Sequence, residues 1–301
     1  MRIGVAATPD VAIPTLNWLL KSDHTIEVVI TQPDKPSGRG RNLKQSVVAE
    51  WAIANSIRVL KPTNSSELIG HLEELDLVLT IGYGVLLPEE ILNLPRHGFL
   101  NLHFSLLPAY RGAAPAQRAL HNGEVQSGVT VFQLEKGMDT GPIYSQQELD
   151  IAPEWRSFEL LREMSLLGPS CVEQAFTMIN AGHSPVMQSG VASIAPKINK
   201  AEAQLNFSLT SQSILNAIRA FTYEPGAWSL WKGEPFKITN ARLTETISTK
   251  ISHIRIEGNS VLVGTGDYDL EITQVIPAGK KEMPAIDWAR GARLTGGEIF
   301  G

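Results

Sequence analysis

Cysteine is all but absent from this 301-residue chain: Cys171 stands alone, so no internal disulfide can form. That usage fits a reducing compartment, the cytoplasm. No apolar run approaches the roughly 20 residues a membrane helix needs, so no membrane partner is expected. The opening MRIGVAA is too short for a signal peptide and reads as a first strand. Positive charge is not in excess. With 26 Lys+Arg against 31 Asp+Glu the net charge is −5, so a nucleic-acid partner would need a local basic patch. GxxxxGK[ST], HExxH and paired CxxC motifs are missing, which leaves no ATP cradle of that type and no zinc or other metal site indicated. Gly82-Tyr83-Gly84 begins like a dinucleotide fingerprint, but position 87 is leucine and no acidic partner follows at the right distance.

What is present reads as two domains. Length alone suggests two, the larger near 200 residues. Up to about residue 183, strand patterns (3–7, 26–31, 57–60, 77–81, 99–102) alternate with helical ones (11–20, 47–55, 65–75, 88–94, 114–121, 157–179). That alternation predicts an α/β fold with a doubly wound, mostly parallel sheet. Strands at 129–134 and 143–151 flank a glycine-rich loop. Residues 184–203 lack a sustained period and read as a linker. From 204 to 301 a helix at 214–221 precedes short strands with hairpin turns at Lys232-Gly233-Glu234 and Gly258-Asn259, which predicts a small OB-like β-barrel.

Candidate chemistry gathers on three segments. Asn101 and His103 lie at or just past the carboxyl end of a strand, where parallel α/β sheets bind ligands. Their i, i+2 spacing points both side chains to one face. Asp139 is a lone carboxylate in GMDTGP (137–142). An amide, an imidazole and a carboxylate can together polarise a carbonyl and move a proton. A carboxylate beside His103 should raise its pKa from the reference near 6.5. The third segment, Gln32 to Ser46, is long for a βα connection. Lys35, Arg39, Arg41 and Lys44 against Asp34 leave it at +3.

These motifs resemble the methionyl-tRNA formyltransferases. HFSLLPAYRG (103–112) resembles the signature of enzymes that use 10-formyltetrahydrofolate, with Asn101 and His103 as the Asn-x-His pair and Asp139 in the downstream Gly-x-Asp-Thr-Gly loop. ATPD (7–10), TQPDKPSGRGR (31–41), GYGVLLP (82–88), RGAAPAQRAL (111–120) and PAGKK (277–281) carry the resemblance along the chain. Ala7 and Phe104 stand where that family has glycine. The resemblance implies direct formyl transfer from 10-formyltetrahydrofolate to the α-amino group of methionine on initiator tRNA; no suitable nucleophile accompanies the three groups, so no covalent intermediate is expected, and no metal. It implies Asn101, His103 and Asp139 as the catalytic set, and Ser105, Leu106, Leu107, Pro108, Gly82, Tyr83 and Gly84 against the folate. Arg39, Arg41 and Lys44 would touch tRNA, with the second domain assisting. A monomer is the default. Two rivals remain at this stage: a formyltransferase acting on an amino sugar nucleotide, and a non-catalytic RNA-binding module.

Overall fold

Continuous runs of Val, Ile and Leu become strands buried on both faces, as parallel sheets require. The structure is a computed structural model and describes residues 1–37, 42–248 and 250–301. In chain order it forms β1 (Arg2–Ala7), α1 (Ile13–Leu19), β2 (Thr25–Ile30), β3 (Lys35–Ser37), β4 (Asn42–Lys44), α2 (Val47–Ala54) and β5 (Val59–Leu60). There follow β6 (Leu77–Ile81), α3 (Glu89–Leu92), β7 (Phe99–His103), α4 (Pro115–His121), β8 (Gln126–Gln133), β9 (Ile143–Asp150) and α5 (Ser157–Asn180). The last part holds α6 (Ser211–Phe221), β10 (Trp228–Trp231), β11 (Glu234–Ile247), β12 (Ile254–Glu257), β13 (Ser260–Val263), β14 (Tyr268–Ile276), β15 (Met283–Pro284) and α7 (Ala285–Gly291). Two compact units result: 1–115 with 126–150 and 161–195, and 116–125 with 151–160 and 196–301. Among the described residues, no helix is long and apolar enough to cross a membrane.

The first unit is built on a seven-stranded sheet of order β5-β2-β1-β6-β7-β8-β9. The five strands from β5 to β7 are parallel, while β8 and β9 run antiparallel to their neighbours. The α/β, mostly parallel expectation holds. Every residue of β6 is buried, and Leu77 to Ile81 sit between two covered faces. On one face Leu68, Leu72, Leu75, Tyr83, Ile91 and Phe99 share a core.

Two expectations change. The helix expected at 65–75 is a single 3-10 turn, Ser65–Leu68. Asn64 caps it, Ile69 turns extended (ψ 137°), and Gly70 takes a left-handed φ of +81°. The Glu73 carboxylate then accepts from the Gly70 and Leu72 amides. Leu68, Leu72 and Leu75 still reach the core, so helical spacing here reflects burial through turns. The basic segment, read as loop, contains two short strands, β3 and β4, paired antiparallel with Lys35 facing Lys44.

The second unit carries an antiparallel sheet of order β10-β11-β14-β13-β12, with β15 on β14. The turn at Lys232-Gly233 has positive φ at both residues (51° and 79°), as a tight hairpin of this hand demands. Phe236, Trp288 and Phe300 pack together, with ring centroids 4.5 to 6.0 Å apart. Trp288 comes from α7, a seven-residue helix too short for its period to stand out in sequence.

Candidate active site

β7 alternates its side chains across the sheet. Leu102 points towards α5, where a Cβ on Gly168 would meet it at 2.8 Å. Asn101 and His103 share the other face, as their spacing predicts. Opposite Asn101 on β8 lies Phe132, whose ring meets the His103 ring edge-to-face at 6.2 Å. The Thr80 hydroxyl, one strand away on β6, donates to Asn101 Oδ1 at 2.8 Å and also lies 3.0 Å from Leu100 O. With its oxygen held, Asn101 presents its NH₂ donors away from β6.

His103 is buried, and its Nε2 lies 2.9 Å from the carbonyl oxygen of Tyr110. A carbonyl only accepts, so Nε2 carries the proton there. In the neutral ring Nδ1 is then a bare base. It faces Asp139 Oδ2 at 3.8 Å, a charge contact longer than a hydrogen bond. Burial pushes the imidazole below its ordinary value near 6.5, overcoming the Asp139 carboxylate and the Tyr110 carbonyl, which both raise it. The expected rise is therefore reversed: the neighbouring charge acts in the anticipated direction, but desolvation is larger.

Asp139 arrives by a route the sequence did not reveal. The loop carrying it joins antiparallel β8 and β9 and leaves the sheet beside Phe99, at the start of β7, where Leu134 N donates to Phe99 O. It folds back so that Asp139, at φ +53°, meets His103 at the end of β7. There the Gly112 amide donates to Asp139 Oδ2 at 2.7 Å. Gly112 has φ +123°, and a Cβ on it would lie 2.7 Å from Ala195 O, so only glycine lets the chain pass.

The remaining expected residues lie around this centre. Ser105 to Pro108 form a turn braced from below: Thr130 Oγ1 donates to Ser105 O, and Gln146 Nε2 donates to Leu107 O. Ser105 and Leu107 are buried, Leu106 and Pro108 half-buried. Gly82 and Gly84, at φ +57° and +75°, turn the chain sharply after β6. Tyr83 between them is buried in the core, and its carbonyl accepts from Gln32 Nε2. Val85 and Leu86 follow, 44% and 89% exposed, which leaves apolar surface beside the strand end. Lys44 is exposed on β4, whereas Arg39 and Arg41 lie outside the described residues. Asp34 forms an ion pair with Lys61 at 2.6 Å, which offsets the one acidic charge of that segment.

Sequence reasoning missed Thr80, Tyr110 and the segment after α5. That segment runs as a strap along the first unit: Arg111 bridges Ile194, and Ile143 bridges Val186. Its Gln188 bonds both Arg111 and the Asp139 loop. A backbone acceptor such as Tyr110 O leaves no trace in residue type.

Comparison with known proteins identifies the family. A formyl transferase family model matches residues 1–174, and the model of the formyl transferase C-terminal domain matches 197–293. A methionyl-tRNA formyltransferase of Salinispora tropica is 39% identical, covering 100% of both chains. Among solved structures, an N-formyltransferase of Helicobacter canadensis in complex with folinic acid and dTDP-3-aminofucose superposes with a TM-score of 0.69 at 22% identity, covering 91% of this chain and 99% of that one. A methionyl-tRNA formyltransferase of Clostridium thermocellum gives 0.56 at 15%, covering 81% and 94%. At those identities the two structures establish the fold alone.

Proposed function

The chain belongs to the methionyl-tRNA formyltransferases, and from that premise we propose how its site carries the reaction. It transfers a formyl group to methionyl-tRNA, for the start of translation. The donor is of the folate type, and our finer reading is 10-formyltetrahydrofolate. Exposed Val85 and Leu86 beside the sharp turns at Gly82 and Gly84 suit the flat face of a pterin. Ser105 to Pro108 would close the other side.

The observation that carries the catalytic reading is the meeting of Asn101, His103 and Asp139 across two segments of the first unit. The Asn101 NH₂ donates to the formyl oxygen as the methionine amine attacks and charge grows there. Losing one such donor typically costs about 10²–10³ in rate. His103, neutral at rest with Nε2 engaged by Tyr110, takes the amine proton on Nδ1. Asp139, 3.8 Å away, stabilises the imidazolium so formed. The same proton is then returned to the donor nitrogen as its bond to the formyl carbon breaks. The N–C bond gained and the N–C bond lost, with one proton moved between the nitrogens, balance the transfer. Acid–base help of this kind is worth about 10²–10⁴.

Lys44, together with Arg39 and Arg41, is our reading for the tRNA-contacting segment, with exposed Lys197, Lys200, Lys280 and Lys281 adding positive charge in the second unit. The deciding experiment offers formylfolate with either charged initiator tRNA or a dTDP-amino sugar, and weighs the products by mass. Formylmethionine released from the tRNA is expected. Formylation of the sugar and not the tRNA would overturn the assignment. Arg39→Ala should raise KM for tRNA and leave KM for folate unchanged.

A further inference from the structure

Asp139 sits on a loop that must fold back across a sheet face, so something has to fix where it lands. Every bonding position of the Gln188 amide is committed to that task. Its Nε2 donates to Asp139 O and to Gly141 O, both at 2.8 Å. Its Oε1 accepts from Arg111 Nη2 at 2.6 Å and Nε at 3.2 Å. The amide therefore ties the carboxylate loop to the segment that follows His103.

The strap that holds Gln188 is itself registered on that segment. Arg111 N donates to Ser193 O at 2.9 Å, and Ala195 N donates to Arg111 O at 2.6 Å. Tyr110 N donates to Ser193 Oγ at 2.9 Å. Tyr110 O is the acceptor that orients the His103 ring, and the Gly112 amide holds Asp139 Oδ2. One stretch, 188–195, thus fixes the backbone on both sides of the imidazole–carboxylate pair.

We propose that Gln188 is a positioning residue for the formyl transfer: its amide, set against Arg111, holds Asp139 at its working distance from His103. The inference rests on the role given to Asp139 above. Gln188 touches no reacting atom and acts through the loop. Misplacing a group by about 1 Å can cost on the order of 10²-fold in rate, and removing the clamp takes away both Gln188 bonds to the Asp139 loop. Glutamate at 188 separates the two halves of the clamp. It can still accept from Arg111, but it has no donor for the carbonyls of Asp139 and Gly141.

The test compares Gln188→Ala, Gln188→Glu and Asp139→Asn in the full chain, with steady-state kinetics, melting temperature and NMR titration of the His103 ring. Gln188→Ala and Gln188→Glu are expected to lower kcat about 10- to 100-fold, with KM for either substrate within about twofold. Because the nearby carboxylate raises the ring's pKa, its displacement should move the His103 titration to lower pH in Gln188→Ala, which adds no charge of its own. Should Gln188→Ala fail to fold, Gln188→Glu carries the test. Wild-type kcat in a folded Gln188 variant, beside an inactive Asp139→Asn, overturns the clamp and leaves the catalytic reading standing. A lowered kcat in Gln188→Ala with an unmoved His103 titration also overturns it, since the effect would then be structural. Full activity in Asp139→Asn removes Asp139 from the mechanism and the clamp with it.

Discussion

In the proposed mechanism the Thr80 hydroxyl helps set which end of the Asn101 amide faces the substrate. Thr80 donates to the amide oxygen, so Thr80→Val should free the amide to rotate and lower kcat by about tenfold, the worth of one ordinary hydrogen bond. Thr80→Ser should restore it, and kinetics on the three proteins decide the matter. The His103 ring sets the pH response. Its pKa lies below the unfolded value near 6.5, so in acid the unfolded chain binds its proton first. Its contribution to stability is complete above about pH 6.5 and is lost as pH falls below that value. Burial depresses His24 and His121 in the same direction. Denaturant unfolding should therefore show lower stability at pH 5.5 than at 7.5. In the proposed mechanism the neutral ring accepts the proton, so kcat/KM should fall on the acid side, and the residual activity of Asp139→Asn should show that fall at lower pH. At this scale the sequence was legible where chemistry shows in residue type. Asn101, His103 and Asp139 stood out against apolar or glycine-rich neighbours. Thr80 did not, because threonine in LVLTI reads as an ordinary strand residue. Gln188 lay in an aperiodic stretch with nothing to mark it.

Helix α5 supports the catalytic strand from the opposite face. Its approach depends on Gly168, where a Cβ would lie 2.5 Å from Thr15 Oγ1 and 2.8 Å from Leu102 Cδ2. Gly168→Val should overpack this contact and cost about 1–3 kcal/mol, read as a lower denaturation midpoint. Because Leu102 lies between Asn101 and His103, turnover should fall as well. Elements with strong periods were legible: β6, β7 and α5 lie where their patterns place them. The turns at 65–75 mimicked a helix because Leu68, Leu72 and Leu75 happen to keep a helical interval while side-chain caps from Asn64 and Glu73 hold the backbone in turns. The path of the Asp139 loop was illegible for another reason. Strand direction depends on which neighbour β8 pairs with, and no residue in β8 states that it runs against β7.

Taken whole, an acidic chain handles a polyanion. At −5 overall, binding of tRNA must come from local cations, and the Lys61–Asp34 ion pair offsets the acidic residue of the basic segment. Affinity for tRNA should thus fall steeply with salt, and Lys44→Ala should flatten the plot of log affinity against log salt by roughly one phosphate contact. A filter-binding titration at several salt concentrations measures this. Composition alone pointed away from RNA; membership of the methionyl-tRNA formyltransferases overrules it, and the four cations within residues 32–46 are our proposal for where the tRNA is met. The strap brings its own vulnerability. Val191 is 91% exposed and follows Gly190 at φ +108°, so proteases have open access to the stretch that ties down the Asp139 loop. If the proposed clamp holds Asp139, one nick there should lower turnover while the sheets and helices, held by their own cores, stay intact.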